Sequence, residues 1–292
     1  MTQLVALYPH RGESEEAPNQ PFNSAGGNSI YEVDGSHYVN IFSVKRFDTT
    51  QLGKAIRSSS KDVSAGSRHL AILSHLVTVN QFPGCTGWTI DTATQDFPMA
   101  IMPYFSNGNL AKYVDGKPES EKLYFLASAA SVLRGLHDSG IAHGHIAPQN
   151  FLVKDDGDVV VSDVLLEITM REEYWRTHGT IPPPSLWQYR PMEELLPPES
   201  SSAVVPHSMA GDVFAFGAVT YEILAKKLPS SWHDFTRCSA TGRHRLSTIQ
   251  RPYSIKNDAI WELLRECWRD DPGSRPSMAK VENLLRGFAC SF

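Results

Sequence analysis

The run from Gly140 to Val153, GIAHGHIAPQNFLV, places two imidazoles and an amide just ahead of a strand-like segment. Imidazole titrates near neutrality, so a histidine here could take a proton from a hydroxyl as a general base. The rhythm is that of a catalytic loop leading into a strand, with His143 and His145 where such a loop would carry an acid. A working site, a damaged site and a plain surface turn are all open at this point. Zinc and dithiol chemistry are disfavoured. Cys85, Cys238, Cys267 and Cys290 form no CxxC pair, and so few cysteines in this length suit a reduced, intracellular protein.

The elements that must position these groups follow from hydrophobic pattern. With 292 residues and 41% hydrophobic composition, the chain can bury a sizeable core in one large domain or two lobes. Residues 1–22, polar around GESEEAPNQP, are expected to form a flexible leader. IYEV and SHYVNIFSVKRF flank Asp34-Gly35, a hairpin signal. SRHLAILSHL spaces Leu70, Leu73 and Leu76 for an amphipathic helix, and GWTIDTA and FPMAIMPYF read as strands. After Ser106 the helical signal dominates. SEKLYFLASAASVLRGLHDSG carries Leu123, Leu126, Ala130, Leu133 and Leu136 near one face and stops at Gly140. FLVKDDGDVVVSD turns at Asp156-Gly157. Residues 172–208 look irregular and Pro-rich, a long loop of functional interest. GDVFAFGAVTYEIL predicts a helix buried on most sides, NDAIWELLRECWR a helix capped by Asn257, and SMAKVENLLRGF a closing helix. Trp261 and Trp268 are expected in the core. The fold class expected is α+β and bilobal: a β-rich lobe over 23–105, including a connector, and a helical lobe over 106–292.

The order of these parts resembles the eukaryotic protein kinase superfamily, in the style of its tyrosine-kinase-like group, from about Asn23 to Leu285. FSVK is similar to the strand with the nucleotide lysine, IMPYFSNGNL to the hinge and HGHIAPQN to the catalytic loop H-R-D-x-x-x-x-N. SDVLL is similar to the D-F-G segment, and GDVFAFGAVTYEIL with CWRDDPGSRPSM to the buried helix and closing arginine motif. The resemblance implies ATP and Mg2+ as cofactors. Lys45 would hold phosphates, and Asn150 and Asp163 the metal. The cleft would be lined by Gly26, Gly27, Ile30 as the lid over adenine, Ser43, Ile101, Met102, Tyr104, and Leu152 as the floor. Asp212 would hold the catalytic loop. Arg275 would pair with a glutamate, Glu194 being favoured over Glu199.

The departures from the family pattern fall on the chemistry. His145 stands at the proton-accepting aspartate, and Ala147 replaces the lysine that touches the transferred phosphoryl. Gly144 replaces the arginine that anchors a phosphorylated activation loop. Ala25 and Asn28 fall where two family glycines are expected, and Val164-Leu165 replace Phe-Gly, which removes backbone freedom at that point. No acid lies between Gly66 and Thr89 to partner Lys45. His69 takes the matching position, with Asp62 a substitute if the helix starts earlier.

Such selective loss points to a pseudokinase, a signalling or scaffold module with residual ATP binding and protein partners, rather than an enzyme. The alternatives are a divergent active Ser/Thr or Tyr kinase and an interaction domain that binds no nucleotide. The Pro-rich run Ile181 to Pro198 is either a partner-binding segment or an inert, lengthened activation loop. A formal charge of −5 gives no case for nucleic acid. No apolar run approaches the ~20 residues that span a bilayer, and the N-terminus lacks a signal-peptide pattern, so the expected location is cytoplasmic, without membrane insertion.

Overall fold

The computed structural model describes residues 29–30, 42–46, 51–56, 71–72, 74–76, 78, 80, 84–86, 89–91, 99–178, 186–195, 206–228 and 249–290. The expected leader, the Asp34-Gly35 turn, Gly26 and Gly27 lie outside them, as do His69, Asp62 and Glu199.

The first third forms a five-stranded antiparallel sheet of order β1-β2-β3-β5-β4. Its strands are β1 Ser29–Ile30, β2 Phe42–Arg46, β3 Gln51–Ile56, β4 Thr89–Asp91 and β5 Met99–Pro103. β1 and β2 pair antiparallel with Ile30 opposite Ser43, four residues beyond the partner that a two-residue turn at Asp34-Gly35 would give it, and Lys45 lies opposite Gly53. β3 is not evident in the sequence, because Gln51, Gly53 and Lys54 break its apolar pattern. It is fixed by partners on both sides, β2 and β5. Residues 71–72, 74–76 and 78 are helical, with Ile72 and Leu76 buried.

The second part is mainly helical. α1 Leu110–Tyr113 is capped by Asn109, whose side chain accepts from the Lys112 amide at 3.0 Å. α2 Glu119–Asp138 buries the whole stripe read from sequence, plus Ala127 and Ala129. It ends at Gly140, whose φ of +77° suits a residue without a side chain. β6 Phe151–Val153 and β7 Val159–Val161 form the expected hairpin, turning through Gly157 at φ +91°. The Val161 amide donates to Gly84 O at 2.8 Å, and Thr86 donates back to Val161 O at 3.0 Å. These bonds tie the hairpin to the segment that leads into β4.

One expectation fails here. Residues 172–178, read as irregular, belong to α3, Leu166–His178. LEITMREEYWRTH contains no proline or glycine to stop a helix. Its weak amphipathic pattern hid it, and the prolines that suggested a loop begin only at Pro182. α4 Met192–Leu195 follows a 3-10 turn at Trp187–Tyr189. α5 Met209–Ala225 is capped by Ser208 and is nearly all buried. α6 Asp258–Cys267 is capped by Asn257 and buries Ile260, Leu263, Leu264 and Cys267. α7 Met278–Ala289 closes the chain, capped by Ser277. Among the described residues no helix is long and apolar enough to cross a membrane.

The core lies between α2, α5, α6, α7 and the β6–β7 hairpin. Trp268, only 1% exposed, packs its ring 5.7 Å from Tyr221 and 6.3 Å from the partly buried Trp261. Trp268→Ala should lower the unfolding free energy by about 3–5 kcal/mol, read as a lower urea midpoint at unchanged slope. A loss under about 1 kcal/mol would show that the ring is not a core element.

Candidate active site

The loop 143–150 is held by its backbone. Asp212, in the first turn of α5, is 2% exposed. Its Oδ2 accepts from the His143 amide at 2.6 Å and its Oδ1 from the Gly144 amide at 2.9 Å. His137 Nε2 lies 2.9 Å from the same Oδ2. Burial alone would raise the Asp212 carboxyl, but His137 and the loop amides hold it below the usual carboxylate range. Asp212 thus sits where the sequence reading puts it.

His143 is fully buried. Its Nδ1 accepts from the His145 amide at 3.1 Å, and its Nε2 lies 3.0 Å from Ser162 O. These partners fix a neutral ring with the proton on Nε2. Burial is the main cause of a pKa lowered to about 4. The neighbouring His145 adds to it, against opposition from Asp212.

His145 is also sealed, its side chain 2% exposed. Its carbonyl accepts from Asn150 Nδ2 at 2.6 Å, which closes the loop on itself. Asn150 Oδ1 is buried and makes no hydrogen bond among the described residues. The Ser162 amide donates to Asn150 O at 2.9 Å, which places Asp163 beside it. A buried amide oxygen with no hydrogen bond is a donor of the kind that a hard, oxygen-seeking cation such as Mg2+ takes. Among the described residues no cluster of three or more His, Cys, Asp or Glu could hold a metal, so further ligands would have to come from a bound phosphate or water. Asp163 and Leu165 adopt φ of +66° and +56°. Leu165 therefore takes a left-handed backbone without glycine's freedom, at a cost of about 1 kcal/mol. It is held there by a 2.8 Å bond from its amide to His143 O. The Val164 amide reaches Asn80 Oδ1 at 3.4 Å.

The expected cleft residues separate by position. Met102 on β5 and Leu152 on β6 are buried, and Tyr104 is half-buried just after β5. Leu152 forms a bridge to Asn109, joining the hairpin to the chain that leaves β5. Ile30, Ser43, Lys45 and Ile101 are placed by strand register. Ser43 is opposite Ala55, and Ile101 is opposite both Gly53 and Thr89.

The structure adds residues that spacing did not reveal. Glu167, in the first turn of α3, brings Oε2 to 3.1 Å from His145 Nδ1 and 3.0 Å from Arg190. Arg190 also donates to Gly144 O at 2.7 Å, and its Nη1 lies 3.3 Å from Glu194. His207 Nδ1 lies 2.8 Å from Arg190 Nη1 and 3.2 Å from Glu194. One nitrogen cannot accept from the first and donate to the second. Burial and the guanidinium both lower the His207 pKa, so the neutral ring accepting from Arg190 is favoured. The void beside His145, walled by Leu186, Arg190 and Ala215, measures about 10 Å³, room for one water at most. Only tertiary folding brings these groups together, across separations such as 145 to 167 and 144 to 190, so no local motif could have announced them.

Arg275 corrects a second expectation. Its Nη1 lies 2.6 Å from Glu193 Oε1, and not against Glu194. Glu194 is occupied elsewhere: it accepts from the Ser208 amide at 3.0 Å and faces Arg190. On the short helix α4 the two neighbouring acids point to different sides, so adjacency in sequence did not decide the pairing. Arg275 also donates to Arg269 O at 2.9 Å and Ala210 O at 3.0 Å, and covers the Phe214 ring.

The sequence profile of the protein tyrosine and serine/threonine kinase family matches residues 52–285. The chain belongs to this family. It is 26% identical over 201 residues to discoidin domain-containing receptor tyrosine kinase B of Caenorhabditis elegans, covering 64% of this chain and 24% of that protein. It is 27% identical over 200 residues to human ephrin type-A receptor 8, covering 64% and 18%. It is 22% identical over 269 residues to the tyrosine-protein kinase transforming protein Abl of Abelson murine leukemia virus, covering 87% and 33%. The chain thus spans a third or less of the length of these relatives. The scaffold of a bilobal α+β kinase domain is present, and its catalytic loop is tied to α5 through Asp212.

Two outcomes follow from this geometry. Arg275 is 2% exposed while Glu193 is 36% exposed. Water can therefore solvate Glu193 if its partner is lost, whereas the partly buried Arg269 and Ala210 carbonyl contacts both lose their donor with the arginine. Arg275→Ala should cost about 1–3 kcal/mol and Glu193→Gln about 1 kcal/mol or less, compared by thermal unfolding; equal losses would contradict this asymmetry. The second outcome concerns pH. The unfolded chain protonates His143 from its ordinary 6.5 downward, the folded one only near 4. That contribution is complete above the unfolded value and declines as pH falls through the window, by up to about 1.4 kcal/mol per pH unit. The urea midpoint should drop as pH is lowered across that range, and His143→Gln should flatten the slope. An identical slope in both proteins would mean that His143 is not carried neutral.

Proposed function

We propose that this kinase domain is a pseudokinase, a protein-binding module that keeps a nucleotide cleft but has lost phosphoryl transfer. The reading rests chiefly on one observation. The family's proton-accepting aspartate is replaced by His145, whose ring is 2% exposed and engaged by Glu167, itself held by Arg190. A substrate hydroxyl must reach the base to lose its proton, and this base is enclosed. Ala147, at the position of the family's phosphoryl-contacting lysine, is fully buried. The proposed cofactors are ATP and Mg2+. Asn150 Oδ1 and Asp163 would ligate the ion, Lys45 would face the phosphates, and Leu152 with Met102 would bound the base. The ion would supply neutralisation of phosphate charge. The proposed setting is cytoplasmic, with protein partners rather than nucleic acid, in keeping with the mild negative charge.

A second reading is favoured by the same contact. A carboxylate on His145 Nδ1 orients an imidazole as a base, so His145 and Glu167 could form a dyad in a divergent, active kinase.

Thermal-shift titration with ATP, with and without Mg2+, tests the cleft. The melting temperature should rise with Mg-ATP and the rise should vanish in Asp163→Ala. No shift in the parent protein would leave an interaction domain without nucleotide. Phosphate incorporation into a generic protein substrate, measured with His145→Ala and Glu167→Gln as controls, separates the two readings. The pseudokinase reading requires background incorporation in all three proteins. Transfer by the parent that both substitutions abolish would establish the dyad.

A further inference from the structure

The segment between Asp163 and Glu194 starts and ends on the catalytic loop. At its start, Glu167 sits in the first turn of α3, where the helix N-terminus favours a negative charge. At its end, Arg190 follows the turn Trp187–Tyr189. The two side chains meet at 3.0 Å, with Arg190 6% and Glu167 2% exposed. Each also reaches the loop separately. Glu167 contacts the His145 ring at 3.1 Å, and Arg190 donates to Gly144 O at 2.7 Å. Buried charges survive only when paired and hydrogen-bonded, and these are both.

In the family pattern the residue before the catalytic acid is an arginine of the loop, which receives a phosphate carried by the segment. Here that position is Gly144, with φ +73°. A β-carbon on it would collide with the His207 ring, so the loop offers no cation. The guanidinium comes instead from the segment, and the anion is a carboxylate encoded in the chain. We infer that Glu167 and Arg190 form a permanent clip that fastens both ends of the activation segment to the catalytic loop without phosphorylation. The inference goes beyond the pseudokinase reading and holds whether or not nucleotide binds.

Amide hydrogen exchange on the full chain made in bacteria, with intact mass showing no phosphate, tests the clip. Amides of 166–178 should be protected in the parent protein. Glu167→Gln keeps the shape and removes the charge, and should speed their exchange roughly tenfold or more while α2 amides stay unchanged. Three results would overturn the clip: unprotected 166–178 in the phosphate-free parent, no change in Glu167→Gln, or equal loosening of α2. Should Glu167→Gln fail to fold, trypsin on the phosphate-free parent decides. Resistance at Arg171 and Arg176 under native conditions supports the clip, and rapid cutting there refutes it.

Discussion

Asp212 is a carboxylate set into an almost wholly apolar helix, where its charge would be costly if it stood alone. It is not alone: His137 and the amides of His143 and Gly144 surround its two oxygens. The cost of burying the charge is offset only while all of these partners stay in place. That requirement fixes the loop backbone, and the loop then fixes Leu165 through His143 O and Asn150 through His145 O. The site is therefore built from the helix outward. Its backbone geometry depends little on which side chain stands at position 145.

The frame of this kinase domain is thus held independently of the side chains that would act on a substrate. The groups that hold the loop are amides, carbonyls and two flanking polar residues, none of which needs to touch a substrate. The side chains that would act on a substrate are set on top of this frame and can be exchanged. His145 is one such exchange. Its new neighbours, Glu167 and Arg190, satisfy each other's charges in a space with almost no room for solvent.

Much of the fold was legible because periodicity reports burial. The stripe of α2, the apolar run of α5, the Asn257 cap and the Gly157 turn all match their local signals. β3 was not legible, since its pairing on two sides comes from other strands and its own residues have weak strand preference. α3 was masked by the prolines that follow it. At the site, the order of motifs pointed to Asp212 as the residue that holds the loop, and its bonds to the His143 and Gly144 amides agree. The choice between Glu193 and Glu194 turned on the direction of side chains across one helical turn, which sequence does not carry. The ion pair of Glu167 with Arg190 spans a stretch whose path is set by the rest of the fold, so residue types alone gave no hint of it.

Gly144 limits what could be put back into this loop. The ring of His207 lies against its bare α-carbon, and its backbone has turned into a conformation that side chains resist. Putting an arginine back would require the ring to leave, the peptide to rotate, and Arg190 to give up the carbonyl it now holds. Each adjustment disturbs a neighbour that is itself enclosed. An arginine at this position is therefore not a one-residue repair: it can be seated only if several enclosed neighbours are rebuilt together.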